Sequence, residues 1–137
     1  MCAAAQSLSV AILAAIAMAG CSDSSAPAPL AECTGPVAVS VGSGTKPLIS
    51  WSPACRASAL LVDIPNSGNN YWFLTTQGDT NGLRPPIVYA STPAGTVTQI
   101  APLTLASGTE YRVTLSRADD SGPIATLVII GNVTFTP

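Results

Sequence analysis

The chain contains no histidine. That absence removes Ser-His-Asp and Cys-His catalysis and takes away the commonest nitrogen ligand for zinc. Charge is scarce as well: Asp, Glu, Lys and Arg make up 9% of the residues. The five basic residues, Lys46, Arg56, Arg84, Arg112 and Arg117, are scattered. No basic patch follows a phosphate backbone, so nucleic acid is excluded as a partner. A Ser–Lys dyad would need Lys46, the only lysine, which stands beside Pro47 and reads as a solvated charge at a strand entrance. Beyond residue 21 no segment keeps a helical period.

What is present begins with an apolar run, Ser9-Val10-Ala11-Ile12-Leu13-Ala14-Ala15-Ile16-Ala17-Met18-Ala19-Gly20-Cys21. It spans about a dozen residues, short of the roughly 20 a helix needs to cross a bilayer, so it fits the h-region of a signal helix. Ser22-Asp23-Ser24-Ser25 then turns the chain polar. Met18-Ala19-Gly20-Cys21 resembles the lipobox of a bacterial lipoprotein. Met18 stands where that family usually has Leu, and Met1–Ser9 carries no Lys or Arg. The resemblance implies an acylated Cys21, a membrane anchor of more than one chain, and a place in the bacterial envelope. Ser22 after the cysteine implies the outer rather than the inner membrane. The competing reading is an ordinary secretory signal in which Cys21 is coincidental.

The organisation expected is a signal peptide over 1–20, a lipidated cysteine and tether over 21–32, and a β domain over 33–137. The tether, rich in Ser and holding Pro27 and Pro29, favours extended chain. Its eleven or so residues reach about 35–40 Å when stretched. The chain beyond Cys21 is long enough for one domain with its own core.

Four cysteines are present. If Cys2 leaves with the signal peptide and Cys21 takes lipid, Cys33 and Cys55 remain. In an oxidising compartment their natural state is a disulfide. Closing a loop of about 22 residues contributes roughly 3 kcal/mol in the chain-entropy picture. Two free buried thiols are the alternative. Two cysteines without histidine are too few for a metal site.

From Pro36 onward short apolar segments alternate with turn residues. Val37, Val39 and Val41 repeat every second position. Further strands are expected at Leu48–Ser52, Ala59–Ile64, Tyr71–Thr76, Ile87–Ala90, Thr96–Ile100, Tyr111–Arg117 and Ile124–Phe135. Ala59–Ile64 is apolar on both faces, as in a central strand. Gly131 interrupts the last strand and marks a bulge or bend. Seven or eight short strands at near-regular spacing point to an all-β, antiparallel sandwich.

Three segments together resemble a fibronectin type III domain. Leu48-Ile49-Ser50-Trp51-Ser52-Pro53 is similar to that family's second strand. Leu105-Ala106-Ser107-Gly108-Thr109-Glu110-Tyr111-Arg112-Val113-Thr114-Leu115 is similar to its L-x-x-G-T-x-Y-x-V-x-V stretch, and Gly131–Pro137 to its closing strand. The resemblance implies an immunoglobulin-like sandwich with Trp51 in the core and Tyr111 in a tyrosine corner. The family lacks a Cys33–Cys55 bridge, and 78–102 fits its middle strands poorly. There is no Arg-Gly-Asp triplet.

The remaining chemistry is thin. Asp79-Thr80-Asn81-Gly82 is half a calcium loop without its other ligands, and Asp119-Asp120-Ser121-Gly122 reads as a hairpin turn. Asn132-Val133-Thr134 matches a glycosylation sequon. Tyr71-Trp72-Phe73 is the candidate ligand-binding element. Alternation sends Trp72 to one face and Tyr71 with Phe73 to the other. One face is core; the other either stacks on a sugar or a partner or is covered by a loop such as Leu83–Tyr89. The function expected is that of a membrane-tethered, non-catalytic binding or architectural module with no cofactor and no metal. Its partner would be another envelope protein or a glycan. The alternative is a carbohydrate-binding module built on these aromatics.

Overall fold

Alternating valines and short β-branched runs, cut by Pro and Gly, build eight strands in a computed structural model that describes residues 29–78, 81–122 and 124–137. They are β1 (Ala38–Val41), β2 (Leu48–Ser52), β3 (Ala59–Asp63), β4 (Asn70–Thr76), β5 (Ile87–Val88), β6 (Thr96–Ile100), β7 (Tyr111–Asp119) and β8 (Thr126–Phe135). No helix occurs among the described residues. Every strand pairing is antiparallel. One sheet runs β1-β2-β5 and the other β6-β4-β3-β7-β8.

The two sheets close on one core. Leu60, Val62, Leu74, Val113 and Leu115 project from the larger sheet; Ile49, Trp51 and Ile87 answer from the smaller one. All are buried. The doubly apolar β3 takes the middle of the larger sheet, between β4 and β7.

Local chemistry sets the ends of several strands. The segment expected at Ile87–Ala90 forms ladder pairs only over Ile87–Val88. Ala90 takes a left-handed φ of 67°, and the Ser91 amide and hydroxyl both donate to the Val88 carbonyl, turning the chain away. At the N-terminal end the folded unit takes in residues upstream of the boundary expected at Cys33. Arg56 donates from Nε to the Leu30 carbonyl at 2.8 Å and from its amide to the Ala31 carbonyl at 2.8 Å. The segment expected to be a signal peptide and Cys21 lie outside the described residues.

β8 is bent where it meets β1. Leu115 pairs with Gly131 and Ser116 with Ile129, so Ile130 is an extra residue in the ladder. It is buried, and its carbonyl accepts from the Val37 amide at 2.8 Å. Gly131 allows this approach: a Cβ there would stand 2.6 Å from the Val37 carbonyl oxygen.

Candidate functional site

Cys33 and Cys55 form a disulfide with Cα atoms 4.9 Å apart. Trp51 lies in the core beside it, and its Nε1 donates to the Cys55 carbonyl at 2.8 Å. The indole thus holds the chain leaving β2 at the point where the disulfide ties it to the N-terminal segment. The Glu32–Arg56 ion pair, at 3.4 Å, sits at the same junction.

Tyr111 opens β7 fully buried, and its hydroxyl accepts from the Ala106 amide at 2.9 Å, five residues upstream. That bond fixes the loop entering the strand. Tyr71 meets the Tyr111 ring edge-on at 4.9 Å. Burial, and then the neighbouring Tyr111, push the Tyr71 hydroxyl above its ordinary pKa.

This contact changes the reading of Tyr71-Trp72-Phe73. Val62 pairs with Trp72 but Asp63 pairs with Asn70, so Tyr71 is a bulge residue. The bulge breaks the two-residue alternation and brings Tyr71 against the core with Trp72. Trp72 is inaccessible to solvent and packs edge-on to Tyr89 at 5.2 Å. Its Nε1 is the one buried side-chain polar atom among the described residues without a hydrogen-bond partner. The three aromatics therefore do not share a surface, and only Phe73 faces outward, half-buried. Tyr89 covers Trp72, with Leu83 and Ile87 buried in the same core, and among the described residues none of these comes over the Phe73 face. The Tyr89 hydroxyl donates to the Leu103 carbonyl at 2.7 Å, and burial pushes its pKa up to about 12.

The uncovered surface is the outer face of the five-stranded sheet. Register places Phe73 beside Leu61 on one side and Ile100 on the other. Leu61, Phe73, Thr114, Leu127 and Ile129 line a shallow hollow of about 230 Å³. Leu127 is 53% exposed and Ile129 62%. The ion pair on this face is Arg112 with Asp63, a two-pronged contact at the end remote from Leu127. That carboxylate raises the Arg112 pKa through its hydrogen bonds and then its charge. A sheet apolar on both faces normally carries a second layer. The signal for it was legible in Leu61 and in the Leu127–Ile130 run, but not in the aromatic triplet.

Among the described residues no three His, Cys, Asp or Glu side chains gather as a metal site. Asn81 is used structurally: its side-chain oxygen accepts from the Ala118 amide at 2.9 Å. At the β7–β8 turn the Ser121 amide donates to Asp119 at 3.1 Å, and the bonds from Ser121 hold that carboxylate's pKa down. No family model matches the chain, and no curated protein or solved structure matches it significantly.

Proposed function

We propose that the chain is a bacterial envelope lipoprotein, anchored through lipid on Cys21, whose fibronectin type III-like sandwich serves as a non-catalytic binding or architectural module. The observation that carries the binding role is the uncovered apolar face around Leu61, Phe73, Leu127 and Ile129. Contiguous exposed apolar surface of this kind marks contact sites. The disulfide supports an oxidising compartment, where such bonds persist. The Tyr111 hydroxyl bond to backbone and the buried Trp51 support the fibronectin type III likeness. Three of the seven acids, Glu32, Asp63 and Asp119, each pair with an arginine.

The anchor is tested by mass. Intact protein recovered from membranes should carry the mass of two or more acyl chains on Cys21, and Cys21→Ala should release it to the soluble fraction. A mature chain with an unmodified Cys21 would end the lipoprotein reading and leave the sandwich untouched.

A further inference from the structure

We propose that the outer face of the five-stranded sheet is the contact surface between two copies of this chain, packed sheet against sheet about a two-fold axis. The inference rests on the binding half of the function proposed above and is independent of the anchor.

Size is the first argument. The face is five strands wide, which at ~4.8 Å per strand is about 24 Å, and six residues along β8 span about 20 Å. The footprint is about 480 Å², so two copies bury on the order of 1,000 Å², the lower bound for a specific interface. Twisted sheets pack face to face at ~10 Å separation with strands nearly aligned. An isologous contact of that kind uses the same patch twice.

The chemistry of the face selects a second copy over other occupants. Its ion pair, Asp63–Arg112, is already internally satisfied, so nothing there steers a charged partner. An anionic membrane is disfavoured by Asp119 and Asp120 at the turn beside Leu127 and by the absence of a free cation among these residues. A glycan site stacks sugar on aromatic rings, and among the described residues Phe73 is the only aromatic ring on this face. Another apolar sheet matches it, and the identical sheet is always at hand.

The test is cross-linking of the full chain in the cells that produce it. Thr114 sits mid-face on β7, paired with Leu61 on one side and Asn132 on the other. Thr114→Cys, treated with a short bis-maleimide, should give an adduct of twice the chain mass that the parent chain does not give. Ser40→Cys, on the exposed side of β1, should give none. Adding Ile129→Lys, or Leu127→Lys should the first variant lose its Cys33–Cys55 bridge on a non-reducing gel, should lower the adduct at least tenfold. A Thr114→Cys adduct that withstands these lysines overturns the proposal. So does an adduct of another mass, which leaves the binding reading standing with a different partner. No adduct of any mass overturns both.

Discussion

Replacing Gly131 by alanine tests how the two sheets are closed along one side. Gly131 needs no unusual backbone conformation, so the substitution acts through space alone. The added Cβ would lie 2.6 Å from the Val37 carbonyl oxygen, 2.9 Å from Val39 Cγ2 and 3.0 Å from Val37 Cγ2. Two of these atoms belong to valine side chains already packed against the core. The closest belongs to backbone, and the adjacent Val37 amide is bonded to Ile130. Relief therefore means shifting β1 as a strand. Overpacking of this kind costs about 1–3 kcal/mol, and a lost Val37–Ile130 bond adds about 0.5–1.5 kcal/mol. Against this, alanine loses less chain entropy than glycine on folding, worth about 0.4–1 kcal/mol. The balance is a loss of about 1–3 kcal/mol. At ~4–8 °C per kcal/mol for a domain of this size, the melting temperature should fall by roughly 5–20 °C. Gly35→Ala is the control: a Cβ there meets nothing within 4 Å. Its melting temperature should hold or rise. Differential scanning calorimetry of both variants decides the matter. A Gly131→Ala protein as stable as its parent would refute the close approach of β1 to β8.

The other predictions are simpler. Cys33→Ala with Cys55→Ala should cost about 3 kcal/mol, the loop-closure value for a sequence separation of 22, read as a lower urea midpoint; an unmoved midpoint would remove the disulfide from the stability argument. Trp51→Ala should cost about 3–5 kcal/mol, because the buried indole also carries the bond to Cys55; a loss below 1 kcal/mol would take Trp51 out of the core. Tyr89 ionises near 12 when folded and near 10 when exposed. Its contribution is thus complete below pH 10 and fades as pH rises from 10 to 12. Tyr89→Phe should flatten stability in that window, and a curve parallel to that of the parent would show that Tyr89 is not the group responsible.

Eight strands were legible because the residues that start and stop them act locally. Val37-Ala38-Val39-Ser40-Val41 can lie only with valines on one side, and Gly and Pro cut the runs. Two features were not legible, for a shared reason. A bulge costs one residue of register and leaves no compositional mark, so Tyr71 looked like a partner of Phe73 when the ladder turns it toward Tyr111. The segment around Ile87 looked like a cover for exposed aromatics, and it instead crosses to the smaller sheet and shields Trp72. Sequence-local patterns carry strand identity; pairing across the sheet decides which face each side chain takes.

Leu61 shows where the pattern itself carried more than strand identity. The doubly apolar run Ala59-Leu60-Leu61-Val62 demands cover on two sides. Within one copy, β4 and β7 flank the strand and the smaller sheet covers Leu60 and Val62. Among the described residues nothing comes over Leu61 in the same way, and its neighbours Phe73 and Ile129 share that condition. A strand written for a two-sided core but given one side within its own domain has its second side to find elsewhere. In the dimer proposed above, the identical face of a second copy supplies that side, and each copy's Asp63–Arg112 pair is matched within its own face.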